Sequence, residues 1–295
     1  MDLTPSIPPV GLTRNDLDRQ RGLRGVLARL WRKGAARGGL LLVAFFAGLA
    51  LTADLLAPFA PDQRHTLQAP PSLRHPLGTD SHQYDVLTRV WYGARLSLLA
   101  AVLSVSMAVV AGVPAGVIAG YLGGWVDTLI MRGIDILLAF PSILLALLVV
   151  AAFRPGWEAV IAAVGLINIP VFARQVRATV LTVRNLDYVT ASRALGSTTP
   201  EILRRAMLPA IVDPVVVLAT LSMGTATLEV AGLSFLGIAG DPTVPEWGSM
   251  LAEARNYLGT SVWPALAPGA AISLTILGFN LLGDGLRDAL DPRLD

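Results

Sequence analysis

The sequence predicts an all-α membrane protein of six transmembrane helices with both termini in the cytoplasm, on three observations. The 295 residues are 54% hydrophobic and 15% charged, at a mean hydropathy of +0.60, whereas globular domains carry about 25% charge. The apolar residues fall in blocks long enough to cross ~30 Å of hydrocarbon, about 20 residues at ~1.5 Å each. Basic residues are divided unequally between the segments that join those blocks.

The elements follow in order. A basic segment, 1–37, carries Arg14, Arg19, Arg21, Arg24, Arg29, Arg32, Lys33 and Arg37 ahead of the first apolar block, 38–58. No small-residue cleavage site follows that block, so it reads as a retained span and not as a signal peptide. An outer loop, 59–95, leads into a five-helix core over 96–283, with spans predicted at 96–122, 126–153, 157–182, 210–238 and 261–283. An inner segment lies at 183–209, a second outer loop at 239–260 and a cytoplasmic tail at 284–295. Pro114, Pro141, Pro170 and Pro214 predict kinks that a helix bundle tolerates. Ala115, Gly116, Gly120, Gly224 and Gly232 predict close helix approach.

Charge sets the orientation. With the N-terminus inside, the outer side holds Arg64, Arg74, Arg89, Arg95, Arg154 and Arg255, and the inner side holds the other seventeen of the 23 basic residues. Lys and Arg are held back on the cytoplasmic side of a membrane, which places both termini there.

Several functions are excluded by what the chain lacks. There is no cysteine, hence no disulfide, thiol catalysis or zinc–cysteine site. A net charge of +2 gives nucleic-acid binding little support. The single lysine, Lys33, stands between Arg32 and Gly34, so no Gly-Lys-Ser/Thr phosphate loop exists and ATP hydrolysis must occur elsewhere. The spans hold no paired aspartates, Ser-His pair or His-Glu-x-x-His of an intramembrane enzyme. A stand-alone secondary transporter is not excluded and stays as the lesser alternative, since it would favour internal repeats and more buried carboxylates.

The inner segment is the most informative. From Asp187 to Pro209 it reads as helix, tight turn, helix: Asp187 suits a cap, Gly196 a left-handed terminus, Thr199 a second cap with Pro200 at the first helical position, and Pro209 a stop. Tyr188, Ala191, Ser192 and Leu195 share one face, as do Ile202, Leu203, Ala206 and Met207. Helices this short are marginal alone in water, so the pair is either packed under its own bundle or held by a cytoplasmic partner.

Other candidates are single residues. Asp135 and Glu229 lie within spans, where an ionisable group marks a solute path or gate, although Asp135 could instead pair with Arg132 one turn away. His65, His75 and His82 share the first outer loop at spacings that match no compact ligand pattern, so no metal site is expected there.

The inner segment resembles the cytoplasmic EAA loop of ABC-importer permeases, whose pattern is Glu-Ala-Ala, three residues, Gly, nine residues, then Ile-x-Leu-Pro. The matching positions are Thr190, Ala191 and Ser192, then Gly196, then Ala206, Leu208 and Pro209. Thr190 stands in the place of the Glu, Ser192 in that of the second Ala and Ala206 in that of the Ile. Further similarity to the C-type permease of dipeptide, oligopeptide and nickel importers lies in His75-Pro-Leu-Gly-Thr-Asp80, Asp85-Val-Leu, Tyr92-Gly-Ala-Arg95, Ala139-Phe-Pro141, Leu233-Ser-Phe-Leu-Gly237, Trp247-Gly-Ser-Met-Leu251 and the stretch from Asn280 to Arg293.

The resemblance implies a type I ABC-importer-like permease fold in the inner membrane and a transport role for di- or oligopeptides, with nickel or another small solute as alternatives. It implies a heterodimer with a related permease subunit, two ATPase subunits that carry the ATP and magnesium, and an extracellular or periplasmic solute-binding protein. No cofactor is implied for this chain. Coupling to the ATPase falls on Thr190, Ala191, Ser192, Arg193, Gly196, Leu208 and Pro209 within helices near 188–208, and receptor contact on His75, Asp80 and Asp85.

Overall fold

The computed structural model describes residues 30–31, 33–153, 155–238 and 243–290. Most of the basic N-terminal segment, Arg154, and Asp291 to Arg293 of the C-terminal motif lie outside the described residues. Among the described residues the chain is helical, with two isolated β-bridges in the first outer loop. In chain order the helices are α1 (Gly34–Leu56), α2 (Val86–Leu122), α3 (Gly124–Ala139), α4 (Ser142–Ala152), α5 (Trp157–Arg184), α6 (Asp187–Ala194), α7 (Thr199–Ile202), α8 (Leu208–Phe235), α9 (Trp247–Ala254) and α10 (Trp263–Leu290).

Five of these helices are long and apolar enough to cross a bilayer by themselves, and the pair α3 and α4, bent by 96° at the break between them, is long and apolar enough taken together. The third apolar block therefore differs from the single span expected over 126–153. Pro141 offers no N–H to a helix ladder and pushes the residue before it out of helical space. Phe140 accordingly sits at φ −91°, ψ 137°. Pro114, Pro170 and Pro214 stay inside unbroken helices.

The second span also differs from its expected start at residue 96. Asp85 Oδ1 accepts the Thr88 N–H at 2.8 Å, a side-chain cap that starts α2 at Val86. At 37 residues α2 is about 55 Å long, so its outer turns stand clear of ~30 Å of hydrocarbon. The inner tail expected from residue 284 is helical to Leu290, and Asp288 there pairs with Lys33 at 2.6 Å.

The bundle is closed by small residues. A side-chain carbon at Gly112, Gly116 or Gly120 of α2 would lie 2.8, 2.5 or 2.9 Å from the nearest atom of α5. Only glycine lets the two backbones approach so closely. The α2–α5 seam forms one apolar core with Val105, Val160, Val164 and Phe172, into which Ala226 and Val230 of α8 also pack. Gly39 and Gly278 seat α1 against α10 in the same way.

Candidate functional site

Three places carry the candidate residues, and the first is the inner segment. Helix α6 ends in a complete Schellman turn: the Gly196 N–H donates to Arg193 O at 3.0 Å and the Ser197 N–H to Ser192 O at 3.1 Å. Gly196 adopts φ +89°, a left-handed conformation that costs a residue with a Cβ about 1–2 kcal/mol. Ser192 Oγ and Ser197 Oγ, 2.8 Å apart, close the turn from the side.

The caps fall one residue from where the pattern put them. Leu186, not Asp187, precedes α6, and Asp187 occupies the first turn, where a carboxylate still meets the positive end of the helix. Thr198, not Thr199, caps α7: its N–H donates to Glu201 Oε2 at 2.9 Å in a capping box. Pro209 does not close the segment. The turn Leu203–Met207 is a π-helix, with the Leu208 N–H reaching back to Leu203 O, and it runs directly into α8. Pro209 lies in the first turn of α8, where its missing N–H costs little.

The two faces of this segment have different fates. Val189, Ile202 and Met207 are buried against Val176, Val180 and Val183 of α5. Tyr188 and Leu195 are 56% and 88% exposed, and Thr190, Ala191, Arg193, Gly196, Leu208 and Pro209 are exposed with them. A helix–turn–helix docked to its own bundle thus presents an uncovered face to the cytoplasm.

The second place is the outer cap, built from the first outer loop, the outer turns of α2, and α9. Here lie the residues expected to contact the external receptor. His75, Asp80 and Asp85 are all buried. His75 Nδ1 and Asp85 Oδ2 are 2.9 Å apart, and Asp80 accepts the N–H groups of His82 and Tyr84 and the Arg89 guanidinium at 2.9, 2.8 and 3.1 Å. These side chains brace the cap. Burial pushes the Asp80 carboxyl above the usual carboxylate range, against the opposing pull of Arg89.

Sequence reading missed the other anchor of the cap. Glu246, fully buried, accepts from Ser97 Oγ at 3.1 Å and from the Ser249 N–H at 2.7 Å, capping α9. Burial raises its pKa too. Trp247 beside it fills the space over Gly93, donates Nε1–H to Val90 O at 2.9 Å and meets Phe46 edge-on at 5.5 Å.

Among the described residues, one of the three histidines does join a cluster of metal-ligating side chains. Asp80, His82 and Glu253 offer ligand atoms within 4.8 Å of one another, and Glu253 is distant in sequence. Those atoms are already engaged: Ser81 and His82 bond to Glu253, and the Arg89 guanidinium beside Asp80 opposes a cation.

The third place lies within the spans. Asp135 pairs with Arg174 of α5 at 2.6 Å, not with Arg132, and both members of the pair are exposed. A bidentate pair, Asp127 with Arg177 at 2.6 Å to each oxygen, ties the start of α3 to the same helix. Glu229 accepts from Asn168 Nδ2 at 2.8 Å and lines a cavity of about 410 Å³ with residues of α4, α5 and α8.

A bundle of five apolar helices and one bent helix pair, with a capped inner helix–turn–helix, is the architecture of a multi-pass membrane transport component. Residues 112–295 match the family described as the binding-protein-dependent transport system inner membrane component. The dipeptide transport system permease protein DppC of Alkalihalophilus pseudofirmus is 42% identical over 86% of this chain and 82% of that protein. The di/tripeptide permease DppC of Pseudomonas aeruginosa is 42% identical over 91% and 92%. The glutathione permease GsiD of Pectobacterium atrosepticum is 40% identical over 94% of each. A chain of the MetNI methionine ABC transporter, solved in inward-facing conformations, superposes with a TM-score of 0.58 at 20% identity, over 69% of this chain and 97% of that one, and so shares its fold. The chain belongs to the family of binding-protein-dependent transport system inner membrane components and is a permease subunit of the cell membrane.

Proposed function

We propose that this chain is one membrane half of an ATP-driven importer of di- and oligopeptides. It pairs with a related permease subunit, docks two cytoplasmic ATPase subunits through residues 188–208, and receives solute from an external binding protein at the cap that His75, Asp80 and Asp85 brace. ATP and magnesium sit on the ATPase subunits; this chain holds no cofactor and does no chemistry. The peptide and glutathione names of its relatives support the solute class.

The coupling assignment rests on the uncovered face of α6 and the turn at Gly196, carried on a segment that is continuous with α8. A knob joined to a span without a loose linker can turn closure of a partner into a tilt of that span. Nucleotide supplies the bias, because a partner shifts a two-state equilibrium only as far as it favours one state. With Thr190 in place of the family's Glu, the contact is made by a hydroxyl and by Arg193.

The test is reconstitution of the full complex in liposomes with Gly196→Ile. Membrane insertion should be unchanged while peptide uptake per ATP hydrolysed falls about tenfold, as expected if the turn loses roughly 1–2 kcal/mol. Uptake that survives deletion of residues 188–204, or a chain that retains no ATPase on purification, would refute the assignment.

A further inference from the structure

The cavity of about 410 Å³ between α4, α5 and α8 is lined by Ser142, Ile143, Ile167, Gly232 and Leu236, with Glu229 the one charged group on its wall. Its size and its apolar lining with few polar groups are those of a small-molecule site. Glu229 stands six residues before the outer end of α8, about 9 Å along the axis and within the span. A carboxylate at that depth is not left facing hydrocarbon. The break between α3 and α4 opens on the same cavity, since Ser142 is the first residue after Pro141. Irregular backbone at membrane depth is tolerated where it lines a cavity or is covered by protein. Two independent features thus mark one wall as a path wall.

The polar groups define what fits. Asn168, buried, uses both N–H groups of its amide, one to Val164 O at 2.9 Å and one to Glu229 Oε2 at 2.8 Å. That holds one carboxylate oxygen and leaves the group, on the cavity wall, with further lone pairs to accept with. Among the described residues no cation meets Glu229. A divalent metal would ask for several more oxygens, and a guanidinium brings five donors to a wall with a single carboxylate. A primary ammonium needs one strong acceptor and an apolar surround for the carbon chain next to it.

We propose that Glu229 is a station on the translocation path that takes the terminal ammonium group of the peptide in transit, with Asn168 as its positioning residue. The inference rests on the peptide reading above and adds the contact through which the membrane half itself recognises the solute.

The experiment uses the full reconstituted importer and two solutes of one shape, Ala-Phe and its desamino analogue propionyl-phenylalanine, each at concentrations that saturate the external receptor so that receptor selectivity drops out. Glu229→Gln should lower uptake of Ala-Phe about tenfold, the worth of one charge-assisted hydrogen bond, and leave the desamino analogue unaffected. Asn168→Ala should lower Ala-Phe uptake less, and Glu229→Asp should restore part of it. Yield of assembled complex, measured for each variant, separates misfolding from loss of contact. Equal loss for both solutes, or no loss for either, overturns the inference while the importer reading stands. If the wild-type complex imports neither solute, the peptide reading fails and this inference with it.

Discussion

At the scale of the residue, the outer cap is held by carboxylates that water would prefer to keep. Asp80 and Glu246 are both buried, and burial raises the pKa of each. The native cap therefore holds its protons to higher pH than the unfolded chain does, so the stabilisation is complete below the unfolded value and is lost as pH rises through the raised native one. Hydrogen-exchange protection of residues 78–90, corrected for intrinsic rate, should be greater near pH 5 than near pH 8; protection that rises with pH would contradict the assignment. Trp247→Ala should cost about 3–5 kcal/mol, as for a fully buried aromatic, and lower the melting temperature of the purified complex. None of this could be read from sequence spacing. The chain pattern singled out His75, Asp80 and Asp85 as outer polar residues, but whether such residues face a partner or each other depends on the bridge between Thr79 and Asp85 that folds the loop back. Glu246 was invisible for a related reason, since its partner Ser97 lies 149 residues away.

At the scale of the element, spans are legible because hydrophobic length is a local property, whereas breaks in them are not. Pro114, Pro141, Pro170 and Pro214 look alike in sequence; only Pro141 divides its helix, and there the preceding Phe140 leaves helical space and the backbone opens on a cavity. The caps of the inner segment were legible to within one residue, because Ser and Thr neighbours can exchange that role and the Glu201 partner decides between Thr198 and Thr199. Small residues divide in the same way. Gly116 meets Ala173 O of α5 at 2.5 Å from an added Cβ, while Gly224 has its nearest neighbour at 3.4 Å. Gly116→Leu should therefore abolish recovery of folded protein from the membrane, and Gly224→Ala should leave it within about 0.5 kcal/mol of the parent, the range of a substitution that meets no clash. Comparable yields and melting temperatures for the two variants would mean that the α2–α5 seam does not hold the bundle together.

At the scale of the whole molecule, the inner segment and the cavity at Glu229 sit toward opposite ends of one continuous run, α7 through the π turn into α8. The π turn decides how the two are phased. Ile202 and Met207 are five residues apart and both buried against the valines of α5. In a plain α-helix that spacing would separate them by about 140°, while the wider π turn brings them back toward one face. Inserting one Ala after Arg204, an exposed residue within the turn, adds a residue that the turn does not absorb and swings α6 and α7 by about 100° around the axis of α8. Ile202 then leaves the core at a cost of about 2–4 kcal/mol, and the coupling face points away from where the ATPase docks. The spans themselves are untouched, so the variant should insert and assemble in normal yield. Uptake should fall at least tenfold while ATP hydrolysis by the complex loses its dependence on loaded receptor. Deleting Arg204 instead leaves Ile202 and Met207 four residues apart, about 40° in a plain α-helix, so that variant should retain both uptake and the dependence on receptor. If the insertion variant transports normally, motion at the ATPase does not pass through the phase of this helix, and the coupling of the two ends must run through α5, which touches both.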